Sequence, residues 1–149
     1  RGQFRVNEIL KLHYVVDGNN FSLAGQAASD VKKMLKTLGM APDVIRRVSI
    51  AMYEGEMNMV IHADGGEIDV DVTPKAVVMR LADRGPGIAD IDLVMQEGYS
   101  TAPDDIRALG FGAGMGLPNM KKYSNDLKIE SQLGIGTTIT MRVDINSRG

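Results

Sequence analysis

The stretch Glu67–Val72, EIDVDV, alternates strictly between acidic and branched apolar residues. A period of two marks a strand with one face in a core and the other in water. Ile68, Val70 and Val72 take the core face, and Glu67, Asp69 and Asp71 take the water face. A second strand, Ala76–Ala82, follows the turn TPK and ends at Asp83. A sheet built from such strands is apolar on one side and needs a second layer to cover it.

The segments before it can supply that layer. Ile9–Val16 reads as a strand closed by the turn DGNN. From Ser22 the pattern turns helical: Ala24, Ala27, Ala28, Val31, Leu35 and Leu38 recur at three- and four-residue steps, and Gly39 is a natural stop. Pro42 and Asp43 suit a new helix start, expected to run from about Asp43 to Ala63 with Ile45, Val48, Met52, Met59 and Val60 inward. Downstream, a short helix is expected near Asp90–Gln96, a long loop over Gly98–Gly114, and a helix from Gly116 through Met120 to about Tyr123. Leu127–Ser131 and Thr137–Ile145 read as a final hairpin. Helices precede most of the strands and no regular βαβ alternation appears. The expectation is an α+β fold, a two-layer sandwich with helices on one face of a mixed or antiparallel sheet. The 149 residues suffice for one domain with its own core, with residues 1–5 and 147–149 expected as tails.

Composition removes several function classes. The net charge of −2 provides no general field for nucleic acid or an anionic membrane. The absence of cysteine excludes a disulfide scaffold, a thiolate metal site and a thiol nucleophile. No apolar run approaches the roughly 20 residues that span a bilayer, and the start RGQFRVNE lacks the apolar region of a signal peptide. The expected setting is cytoplasmic, with no membrane and no direct nucleic-acid partner.

Three local patterns could carry chemistry. On the second helix Glu54 and Asn58 stand four residues apart, so they share one face about 6 Å apart along the axis. An acid there could accept a proton, and an amide oxygen is a hard ligand suited to magnesium. The same spacing also describes a plain solvated face. Glu56 is expected to point elsewhere, to the surface. His62 lies one further step along, where a helix-end role is expected. His13, in the first strand, has no matched partner in the sequence. The loop DRGPGI, Asp83–Ile88, places a carboxylate before two glycines; it could accept a hydrogen bond from an adenine amine, or be an ordinary turn. The run GFGAGMG, Gly110–Gly116, precedes a helix and could cradle phosphate or act as a flexible linker. It fits neither a Walker loop nor the dinucleotide G-x-G-x-x-G pattern. Arg107, Lys121 and Lys122 are basic residues that could reach a terminal phosphate, and Ser100, Thr101 and Ser124 form no triad pattern.

Taken in order, these patterns resemble the GHKL ATPase superfamily. Its E-x-x-x-N box reads EGEMN, Glu54–Asn58; its D-x-G-x-G box reads DRGPG, Asp83–Gly87; its glycine-rich lid box reads GFGAGMG; its last box reads GTT, Gly136–Thr138. Within the superfamily the chain is most similar to the small stand-alone serine/threonine kinases of bacterial partner-switching systems, with which its length agrees. The resemblance implies a Bergerat-type fold, a layer of helices on a mixed sheet. It implies ATP and Mg²⁺ as ligands, with Asn58 on the metal and Glu54 as general base or orienting group for the attacking hydroxyl. Asp83 would bond adenine, with Gly85, Gly87, Ile88 and Thr137 around the nucleotide. Gly112, Gly114 and Gly116 would let the lid close over the phosphates. The implied partner is a STAS-type antagonist protein, with a sigma factor or a phosphatase as further partners and a homodimer as one arrangement. The lid segment APDDIRAL, Ala102–Leu109, is longer and more acidic than in the closest switch kinases. A nucleotide-gated anti-sigma module with little turnover and a detached histidine-kinase ATP domain are the alternatives.

Overall fold

The computed structural model describes residues 9–18, 24–63, 65–88, 95 and 116–145. The expected short helix near Asp90–Gln96 and the long loop over Gly98–Gly114 lie outside the described residues, apart from Met95. So do Arg107, Gly112 and Gly114.

Five strands form one sheet: β1 (Leu10–Asp17), β2 (Gly65–Val72), β3 (Ala76–Asp83), β4 (Asp126–Gln132) and β5 (Gly136–Asp144). Their spatial order is β1-β2-β3-β5-β4. All four described ladders are antiparallel, so among the described residues the sheet takes the second of the two forms that the strand pattern allows. The alternation of EIDVDV holds in space: Ile68, Val70 and Val72 are fully buried while Glu67 and Asp69 face water. Val77, Met79 and Leu81 on β3 and Ile139, Met141 and Val143 on β5 extend the same buried face.

Among the described residues three helices cover that face: α1 (Gln26–Thr37), α2 (Pro42–His62) and α3 (Gly116–Lys122). The result is the two-layer α+β sandwich. Helix α1 buries Ala27, Ala28, Val31 and Leu35, the three- and four-residue stripe seen in the sequence. It stops where Gly39 turns left-handed at φ 76°. The Met40 N–H then reaches the Leu35 carbonyl and the Gly39 N–H reaches that of Lys36, the Schellman pair of bonds. The start of α1 differs from the expectation at Ser22, which itself lies outside the described residues. The helix begins at Gln26 after a left-handed Gly25, with no side-chain cap of its own and no acid in its first turn.

That missing cap explains a correction. Glu56, expected at the surface, is only 3% exposed. Its carboxylate accepts the backbone N–H of Ala27 (3.2 Å) and of Ala28 (2.9 Å). The helix N-terminus has unpaired donors and a positive dipole end, and α2 supplies the anion that α1 lacks. Gly55 faces the opposite layer. A β-carbon there would lie 2.4 Å from Leu81 Cδ2, so the absence of a side chain lets α2 settle onto the sheet.

Candidate functional site

Helix α2 presents Glu54 and Asn58 on the side that meets α3. Glu54 is half-buried. Its Oε2 accepts a hydrogen bond from Asn119 Nδ2 of α3 at 3.2 Å. Burial pushes the Glu54 carboxyl above the ordinary carboxylate range, and the Asn119 bond partly opposes that rise. Gly116 opens α3 beside the other oxygen: a β-carbon on it would lie 3.8 Å from Glu54 Oε1. Asn58, one turn further along α2, is half-buried and makes no side-chain hydrogen bond among the described residues.

The second part of the site forms where β3 ends. Asp83 turns its carboxylate back on its own loop, and Oδ1 accepts the N–H of Gly85 (2.9 Å) and of Thr137 on β5 (3.1 Å). The Thr137 hydroxyl shares a 2.8 Å hydrogen bond with Ser131 Oγ, which also accepts the Ile88 N–H at 2.7 Å. The Gly134 N–H in the β4–β5 turn donates to the Pro86 carbonyl at 2.8 Å. The loop after β3 and the final hairpin are therefore one clasped unit. Gly85 fits it against the end of α2, where a β-carbon would stand 2.7 Å from that of Ala63. Gly87 adopts a left-handed φ of 83° and lies close against the Gln132 backbone, 2.7 Å from its carbonyl oxygen to the position of a β-carbon. Next to this unit lies a cleft of about 480 Å³, lined by Asp83, Ser131, Ile135, Gly136 and Thr137 among others. That volume is within the usual range for small-molecule sites.

The residues present fit a purine nucleotide with a magnesium ion. Both donors on Asp83 converge on Oδ1, and a carboxylate oxygen such as Oδ2 is of the type that accepts from an exocyclic amine. The Asn58 amide oxygen is of a type suited to magnesium as a hard donor. Groups of three or more His, Asp or Glu placed to hold a metal are absent among the described residues.

Glu54 and Gly116 thus meet where α2 packs on α3, with Asn58 one turn along α2, and Asp83, Gly85, Gly87, Ile88 and Thr137 meet where the β3 loop clasps the final hairpin, Gly85 lying against the end of α2. Of the basic residues, Lys122 is turned away. Its ammonium lies 5.4 Å from the centre of the Tyr123 ring, which Arg46 contacts at 5.5 Å. Arg46 stands two turns before Glu54, about 12 Å toward the start of α2. His62, half-buried at the end of α2, has its pKa lowered by that burial. His13 corrects an expectation: it has a partner, since it pairs across the β1–β2 ladder with Asp69 and its Nδ1 lies 2.7 Å from Asp69 Oδ1.

Two contributors escaped the sequence reading. Ser131 left a trace, a hydroxyl at the third inward position of β4 after Leu127 and Ile129. Asn119 left none, because its partner Glu54 is 65 residues away.

Comparison with known proteins gives a consistent picture. Residues 43–147 match the family described as histidine kinase-, DNA gyrase B-, and HSP90-like ATPase. The serine/threonine-protein kinase RsbT of Bacillus subtilis is 31% identical over 112 residues, covering 72% of this chain and 78% of that protein. An anti-sigma F factor of Clostridium botulinum is 30% identical over 143 residues, covering 92% and 94%. The crystal structure of the RsbU and RsbW domains of a Mycobacterium tuberculosis protein superposes with a TM-score of 0.61 at 18% identity. That superposition covers 90% of this chain and 32% of the longer protein, and it speaks for the fold alone.

Proposed function

Because the chain belongs to the family of histidine kinase-, DNA gyrase B- and HSP90-like ATPases, and within it to the group of the anti-sigma factors and RsbT-type kinases, we propose that it is an ATP-dependent protein serine/threonine kinase. Its substrate on this reading is a STAS-type antagonist protein in a cytoplasmic partner-switching system. The observation that carries the reading is Glu54: a half-buried carboxylate with one oxygen tied to Asn119 and the other without a hydrogen bond among the described residues. Such a group favours turnover over binding alone. A kinase needs one beside the phosphate end of its nucleotide to take up a proton.

The reaction follows from these positions. The hydroxyl oxygen of the acceptor bonds to the γ-phosphorus of ATP, the bond from that phosphorus to the β,γ-bridging oxygen breaks, and ADP leaves. The hydroxyl proton passes to Glu54. Burial raises the basicity of this carboxylate, which improves it as an acceptor. Asp83 Oδ2 holds the adenine amine, and Gly85, Gly87, Ile88 and Thr137 frame the base. Asn58 is the residue to hold Mg²⁺, which when bound compensates the phosphate charge. Gly116 leaves backbone free to approach the phosphates, and the family resemblance assigns Gly112 and Gly114, outside the described residues, to the same lid. Phosphoryl transfer depends on positioning and electrostatics, and this inventory is sufficient for it.

A second reading rests on the anti-sigma F factor relatives: a nucleotide-gated module that holds a regulatory partner with little turnover. Incubation with γ-labelled ATP and STAS-domain proteins from the same genome separates the two. Label on a serine or threonine of the acceptor is the expected result. An ATP-dependent complex without label selects the binding module, and neither outcome would leave both readings without support.

A further inference from the structure

We propose that Asn119 is a positioning residue for Glu54, its side-chain amide holding one carboxylate oxygen so that the other faces the attacking hydroxyl. The inference rests on the reading of Glu54 as the base. A glutamate has three rotatable side-chain torsions, and on a helix surface nothing local selects one orientation. Here a single bond does: Asn119 Nδ2 to Oε2, 3.2 Å. It leaves Oε1 beside Gly116, where the lack of a side chain keeps that oxygen approachable.

The chemistry of an amide suits this task. Its NH₂ donates to the ionised carboxylate. Once the free oxygen, Oε1, has taken a proton, Oε2 is left as a carbonyl oxygen that still accepts from the same NH₂. One residue can therefore partner both protonation states of a base. A cationic partner would instead hold the carboxylate ionised and oppose protonation. The effect on acidity agrees, because burial raises the Glu54 carboxyl and the Asn119 bond brings it partly back.

Asn119 is not needed to dock α3. Leu117 and Met120 do that: Met120 is fully buried and Leu117 is 8% exposed, and both belong to the main core. The neighbouring Glu56 shows the contrasting arrangement, in which backbone donors occupy both oxygens and leave none for a reacting group.

The test is a double-mutant cycle. Asn119→Leu removes the amide at similar volume, and Asn119→Asp keeps the shape while setting a second carboxylate against the first. Each is made in the wild type and in Glu54→Gln. Affinity is read with a fluorescent ATP analogue and Mg²⁺, and turnover as transfer from γ-labelled ATP to the STAS-domain acceptor at saturating nucleotide. Either substitution is expected to slow transfer about 10-fold, with nucleotide affinity unchanged to about twofold. The acid limb of the rate profile moves to higher pH, and no further loss appears in the Glu54→Gln background. Unchanged transfer, a parallel loss of affinity, or the same loss in both backgrounds would overturn the inference. If Asn119→Leu does not fold, Asn119→Asp decides alone. Failure of the underlying reading has its own pattern: no transfer by the wild type, or Glu54→Gln as fast as wild type, and the inference falls with it.

Discussion

Glu54 and Glu56 stand two residues apart on α2, and the helix turns them to opposite neighbours. Glu56 faces α1, where backbone N–H groups bond both oxygens of its carboxylate. Glu54 faces α3, where one side-chain amide occupies one oxygen. Between them Gly55 faces the sheet. A buried carboxylate held by a backbone donor on each oxygen holds the fold together. One that is half-buried, raised in pKa and bonded through one oxygen among the described residues is, on the proposed reading, the base. The difference lies in the partners, which come from segments far along the chain, and the residue type and helical environment are shared.

The comparison can be broken most forcibly at Glu56. Glu56→Ala strips from α1 the side-chain cap that the described residues supply and leaves the Ala27 and Ala28 N–H groups buried without that acceptor. A loss of about 3 kcal/mol is expected in denaturant unfolding, and nucleotide affinity should change only through the folded fraction. If stability is untouched, the cap is not what Glu56 provides.

Gly55 sharpens it on the third face. Overpacking against Leu81 costs about 1–3 kcal/mol, while replacing a helical glycine by alanine returns about 1 kcal/mol. Gly55→Ala should therefore be less stable by about 1 kcal/mol, because the Leu81 methyl it meets can move. A more stable variant would show that α2 does not depend on this close approach.

The smallest effect extends the contrast to an exposed carboxylate. Asp69 bonds His13 and raises its pKa above 6.5, while burial lowers that of His62 below 6.5. The two imidazoles should titrate on opposite sides of that value in an NMR pH series. The native state holds the His13 proton more tightly than the unfolded chain, so its contribution is present below pH 6.5 and fades as pH rises through the native pKa. His62 acts oppositely, with a penalty that grows as pH falls through 6.5. Equal midpoints would contradict both environments.

Much of this molecule can be read from the sequence where partners are near in the chain or spacing is periodic. The alternation of EIDVDV, the apolar stripe of α1, the Gly39 stop and the Pro42 start each follow from local rules and stand within a few residues of their expected places. Glu54, Asn58, Asp83 and Thr137 were visible as ordered motifs, which together resemble one family's site. Glu56 was misread because a position about 200° around the helix from Glu54 faces water only if nothing packs there, and α1 does. Asn119, Ser131 and the His13–Asp69 pair escaped for the same reason. Their hydrogen bonds join residues 65, 43 and 56 positions apart, and no local period encodes such a meeting.

The central claim is that α2 divides its two glutamates between chemistry and architecture. The most direct measurement is made on Glu54→Gln: its affinity for Mg·ATP beside its rate of phosphoryl transfer to the acceptor protein. The account predicts affinity within about twofold of wild type and transfer slower by about 10²–10⁴-fold, the range for loss of a general base. Transfer at the wild-type rate, or a loss of binding as large as the loss of transfer, would contradict it.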